Sequence, residues 1–103
     1  MRGWSLYKYE EQWFEHELVE GELSDRKLTF DLDVEEGDRV MVTAVSADGS
    51  RYQGDYRYRE GSYSNGEVAF DRYRGPGGEV FVGEWHEAGG PRGQWIIRIV
   101  AAE

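Results

Sequence analysis

The sequence predicts an all-β fold: an antiparallel up-and-down meander of six to eight strands closing into a small barrel over residues 1–103. Three observations predict it. Turn-forming residues recur at short, even intervals, with Asp48-Gly49 and Asn65-Gly66 the clearest two-residue hairpin candidates, because such turns need positive φ. The segments between the turns have strand length and are rich in β-branched and aromatic residues. The intervals are also too short for a crossover helix, so consecutive strands must pair antiparallel.

Six strands follow in order: 27–34, 39–46, 51–59, 67–74, 79–86 and 94–100. Weaker breaks at Ser24-Asp25-Arg26 and Glu36-Gly37-Asp38 bound the first of them. Gly75-Pro76-Gly77-Gly78 and the 89–93 segment read as longer connections. Period-two alternation then selects one face. Leu28, Phe30, Leu32 and Val34 share a side, followed by Val40, Val42 and Ala44, then Tyr52, Tyr56 and Tyr58. Val68 with Phe70, Phe81 with Trp85, and Trp95 with Ile97 and Ile99 complete the expected core. Phe70 and Tyr73 have opposite parity, which predicts a bulge or a strand end between them.

The first twenty-three residues are harder to read. Trp4, Leu6, Tyr7 and Tyr9 are strand-like. Residues 10–20 fit either a short covering helix with Trp13, Phe14, Leu18 and Val19 on one side, or a strand alternating Phe14, His16, Leu18. The strand is preferred, since residues 19–23 continue extended into the next hairpin. It brings the count to about eight, enough to close a barrel without free edges.

Charge narrows the partners. Twenty-one acids against twelve bases leave a net charge of −9, which opposes nucleic-acid backbones and anionic membranes. Residues 10–38 hold twelve acids against Arg26 and Lys27, whereas residues 51–98 are neutral. Ten arginines stand beside two lysines, a lysine-poor and acid-rich balance that fits a salt-adapted source. The absence of cysteine removes disulfides and thiolate metal sites. An N-terminus without an apolar signal region, and no apolar run of membrane-spanning length, predict a cytoplasmic protein.

The aromatic–x–glycine–acid–aromatic pattern of Tyr52-Gln53-Gly54-Asp55-Tyr56 recurs as Phe81-Val82-Gly83-Glu84-Trp85. The glycine either leaves room for a neighbouring aromatic or lets the strand bend sharply. On these residues, with Gly61 and Gly89 following, the two hairpins resemble the MORN repeat, and the resemblance implies binding or scaffolding rather than catalysis. An eight-strand meander with core aromatics also resembles the avidin and lipocalin architectures, whose barrels hold a small ligand.

Candidate function follows from the aromatic residues, 15% of the chain. Tyr52, Tyr56, Tyr58, Trp85 and Trp95 are expected at a barrel mouth, able to stack on a flat or sugar-like ligand. Arg72, at core parity, is a candidate anion or carboxylate partner if it points inward. The second expectation is an interaction surface for another protein subunit. Val80, Val82, Ile96 and Val100, with Met41 and Val45, are apolar on the face that should look outward, so either the N-terminal segment or a second subunit covers them. A third reading is an enzyme using Glu84 and His86 on one outward face, with Arg98 nearby. His16, flanked by Glu15 and Glu17, reads as exposed acidic surface rather than a metal ligand. The alternating Arg57-Arg59 and Arg72-Arg74, with tyrosines interleaved, are surrounded by Asp55, Glu60, Glu67 and Asp71, against a nucleic-acid platform. No nucleophile elbow or phosphate loop occurs, and no cofactor or metal is expected.

Overall fold

A computed structural model describes residues 1–34, 37–61 and 64–100. Eight strands run in chain order: β1 (Gly3–Tyr9), β2 (Gln12–Leu23), β3 (Lys27–Asp33), β4 (Arg39–Val45), β5 (Arg51–Tyr58), β6 (Gly66–Gly75), β7 (Gly78–Glu87) and β8 (Arg92–Val100). Each pairs antiparallel with the next, and β1 pairs with β8, so the meander closes into a barrel. Residues 12–23 are strand, and no α-helix occurs among the described residues, which removes the covering-helix alternative.

The alternation read from the sequence is the packing. Leu28, Phe30, Leu32, Val42, Ala44, Tyr52, Phe70, Phe81 and Ile97 are sealed from solvent, with Val40, Tyr56, Val68, Trp85, Trp95 and Ile99 nearly so. Val34 and Tyr58 pack partly buried against them. Leu18 and Ser5 join the interior. The alternation of β2 is interrupted because its register against β3 shifts between Leu18 and Glu20. The extra residue, Val19, is exposed, and the inward set passes from Phe14, His16 and Leu18 to Gly21 and Leu23.

Several turns differ from expectation. The bulge or strand end expected between Phe70 and Tyr73 does not exist: β6 keeps one register against β7, with Tyr73 pointing outward. The glycine-rich stretch after Arg74 is not a long break but a two-residue turn, Pro76-Gly77, closed by the Gly75–Gly78 pair. Asn65-Gly66 is not a turn. Gly66 opens β6, because the Tyr56 hydroxyl occupies the space a Cβ there would need. Asp48-Gly49 lies within a five-residue connection, in which Asp48 Oδ1 accepts the amides of Ser50 (2.9 Å) and Arg51 (3.1 Å). Those bonds lower the Asp48 carboxyl to about 2. Of the Glu36-Gly37-Asp38 break, Glu36 lies outside the described residues; Gly37 has φ 77°. The tight turn without a sequence signal is Glu10-Glu11, where both glutamates adopt positive φ, 48° and 70°, joining β1 to β2.

The two glycines of the repeated pattern do one job. A Cβ on Gly54 would meet the Thr43 carbonyl oxygen, and one on Gly83 the Ala69 carbonyl oxygen, both well inside contact distance. The backbones therefore approach closely on β5 and β7, as a small, strongly coiled barrel requires.

Candidate ligand-binding cavity at one end of the barrel

The two ends of the barrel are built differently. At one end, around the β2–β3, β4–β5 and β6–β7 connections, the interior is filled. The Tyr52 ring lies edge-on to Phe81, with centroids 5.3 Å apart, and its hydroxyl donates to the Ser24 carbonyl at 2.6 Å. Arg72 points inward with its side chain 8% exposed, donating to Glu79 Oε1 (2.7 Å), Asp25 Oδ1 (2.9 Å) and the Tyr52 hydroxyl (2.9 Å). Two carboxylates thus neutralise the guanidinium and cap this end.

Trp95 marks where the filled half stops. Its ring meets Phe30, Phe70, Tyr56 and Tyr7 edge-on, with centroids 5.8–6.0 Å apart. Its indole N–H donates to Ser5 Oγ at 2.7 Å, fixing the ring across the interior.

Beyond Trp95 the barrel holds a cavity of about 310 Å³. Trp95 and Leu32 contribute to its lining together with Val34 and Val40 from the β3–β4 side, Tyr56 and Tyr58 from β5, and Trp85 and Glu87 from β7. Tyr7 and Tyr9 of β1, Phe14 and His16 of β2, and Ser64 complete it. The aromatic walls brace one another. Tyr7 stacks on Phe14 (5.3 Å) and on His16 (5.6 Å, interplanar 4°), and Tyr9 lies beside Trp85 (5.9 Å). The Trp85 indole N–H donates to the Lys8 carbonyl at 3.2 Å. Burial, reinforced by the nearby Glu87 carboxylate, pushes the Tyr56 hydroxyl up to about 12, so it stays protonated. His16 Nδ1 is buried with no hydrogen-bond partner. Buried polar atoms are ordinarily paired, so this nitrogen is an exception within the wall.

The expected aromatic set therefore divides. Tyr56, Tyr58, Trp85 and Trp95 share the cavity, whereas Tyr52 and Arg72 belong to the filled end. Sequence reasoning did not place Tyr7, Tyr9, Phe14, Ser64 or Glu87 at the site. His16 is not exposed acidic surface: it points inward while Glu15 and Glu17 point outward, so the three do not converge. The usable signal was the Phe14, His16, Leu18 alternation and, for Glu87, its parity with Trp85.

Glu84 and His86 are exposed on the outer face. Arg92, not Arg98, lies opposite His86, and Arg92 also approaches Glu84 at 3.7 Å; Arg98 pairs with Val80. The outward apolar residues form cross-strand rows. Leu6, Ile96 and Val82 lie side by side on β1, β8 and β7, and Val80 faces Tyr73. The N-terminal segment does not cover them, because β1 is itself a barrel strand that extends the row. Val80, Ile96 and Val100 are half-buried by their neighbours, while Val82 is exposed. Met41 and Val45, on β4, are exposed elsewhere on the barrel.

Known proteins offer no guide. Comparison with protein-family models, curated proteins and solved structures finds no match.

Proposed function

We propose that this protein is a non-catalytic binding barrel that takes a small organic ligand into the aromatic cavity above Trp95. The observation that carries this reading is the asymmetry of the interior. One half is sealed by packed side chains and the Arg72 ion pairs, whereas the other keeps about 310 Å³ free behind braced aromatic walls. Eight-stranded barrels have an interior just wide enough to be filled by side chains or to hold one small ligand. An apolar cavity of roughly 150 Å³ holds benzene, so this one suits a ligand of about two rings. Rings locked by stacking and by indole hydrogen bonds need little reordering on binding. The lining is mostly apolar, with Tyr58, Ser64 and Glu87 among its few polar members.

The test is a screen of small aromatic and amine compounds, followed by Trp85 and Trp95 fluorescence and by thermal shift. A ligand at a hundred times its Kd should stabilise the fold by about 2.7 kcal/mol. Val40→Phe, which places a ring in the cavity, should abolish the response without unfolding the barrel. Ligand shifts that survive in Val40→Phe would place binding elsewhere and refute the reading.

The second reading, association through the Leu6, Ile96 and Val82 row, rests on the alignment of these apolar side chains over three strands. It ranks lower because the row is small and partly self-covered. It requires a dimer in sedimentation that Val82→Lys dissolves; a monomer at all concentrations counts against it.

A further inference from the structure

Resting on the cavity reading above, we infer that the ligand is an organic ammonium cation with an apolar body, held by ring faces and by Glu87. Charge inside the cavity is one-sided. Among the described residues, Glu87 is the only carboxylate lining it, and no lysine or arginine does. Glu87 takes part in no ion pair among the described residues, and a cation would supply the missing partner. The bases near this end are engaged elsewhere. Arg39 Nε bonds Asp33 at 2.9 Å, Arg59 Nε bonds Glu60 at 3.2 Å, Lys8 approaches Glu11 at 3.8 Å, and Arg92 approaches Glu84 at 3.7 Å.

The same sign holds around the opening. Among the described residues the connections at this end carry Glu10, Glu11, Asp38 and Glu60 against Arg59, with Arg92 opening β8 beside them. Those at the filled end carry Asp25 and Asp48 against Arg26. An approaching cation is therefore drawn to the open end.

The walls match this charge. Tyrosine and tryptophan faces carry negative quadrupole potential, and several rings around one volume form the arrangement that binds substituted ammonium groups. An anionic ligand would meet Glu87 with no base to offset it. A neutral ligand would gain nothing from Glu87, whereas a cation gains from both the carboxylate and the ring faces.

The experiment compares three soluble compounds of one skeleton: choline, its neutral isostere 3,3-dimethylbutan-1-ol, and the anion 3,3-dimethylbutanoate. Binding is read by Trp fluorescence and by NMR shifts of the Trp85 and Trp95 indole N–H groups, in the full chain and in Glu87→Gln. Choline should bind at least about tenfold tighter than the alcohol, with the anion weakest. Glu87→Gln, checked by an unchanged far-UV spectrum, should reduce the choline preference to within about threefold and leave the alcohol unaffected. If the alcohol shifts both indoles as strongly as choline does, the ammonium inference fails while the cavity reading stands. If choline keeps its full preference in Glu87→Gln, the assignment to Glu87 is overturned. If none of the three moves either indole at tens of millimolar, the ammonium inference fails, and the cavity reading is decided by the aromatic screen and Val40→Phe.

Discussion

Replacing Trp95 with phenylalanine tests whether this side chain divides the interior as its geometry indicates. The substitution removes roughly 40 Å³, which at ~24 cal/mol per Å³ of unfilled volume costs about 1 kcal/mol. It also removes the indole N–H that Ser5 Oγ accepts at 2.7 Å, and Ser5 is fully buried, so its hydroxyl is left without that donor. That adds about 1–3 kcal/mol. The total, about 2–4 kcal/mol, is a large share of the ~5–15 kcal/mol expected of a domain this size, yet leaves it folded. Ser5→Ala makes the converse orphan, the indole N–H, and removes little volume. The double variant W95F/S5A leaves neither group unpaired, so it should cost about 1–2 kcal/mol less than the sum of the singles. Urea unfolding followed by far-UV circular dichroism measures all four corners. Additivity within ~0.5 kcal/mol, or a cost below ~0.5 kcal/mol for W95F alone, would refute the role given to Trp95.

Three further outcomes follow from particular contacts. Replacing Glu10-Glu11 by Asn-Gly should stabilise the barrel by about 1 kcal/mol or more, because both glutamates hold positive φ; a lower urea midpoint would contradict this. The Asp48 carboxyl, ordinarily near 3.8, is lowered to about 2, so its backbone bonds contribute stability above pH ~4 that is lost as pH falls toward 2. Asp48→Asn should therefore melt with a shallower pH dependence between 4 and 2, and an unchanged slope would remove Asp48 from the account. Glu20 and Asp31 stand directly opposite on β2 and β3, where burial, then Glu20 and Asp33, raise the Asp31 carboxyl against the opposing pull of Arg39. Screening in molar KCl should raise the melting temperature by several degrees, and Glu20→Gln should reproduce part of the gain; a midpoint independent of salt argues against repulsion at this edge.

Much of the fold was legible because a strand with one wet and one dry face writes its orientation into every second residue. That rule placed Phe30, Val42, Phe70 and Ile97 in the core, and Tyr56, Trp85 and Trp95 on the face that lines the cavity. It became hard to read in β2, where the bulge at Val19 reverses the parity of everything after it. It was misread at Tyr73, whose outward aromatic ring imitated a register slip in an unbroken strand. Turn signals were weaker still. Glycine serves positive φ in one place and close approach in another, and the sequence does not distinguish Gly49, at φ 80°, from Gly66, which makes room for a hydroxyl.

The amino-acid order alone determined the strand rhythm, the antiparallel pairing of neighbours and which side chains face inward, since each depends on residues close along the chain. It could not determine at what height along the barrel each inward residue sits, because height follows from the shear accumulated over all eight strands and from the closing pair of β1 with β8. Height is what sends Tyr52 and Arg72 to the sealed end and Tyr56, Trp85 and His16 to the open one. Tertiary structure alone therefore decided that the interior is part core and part cavity.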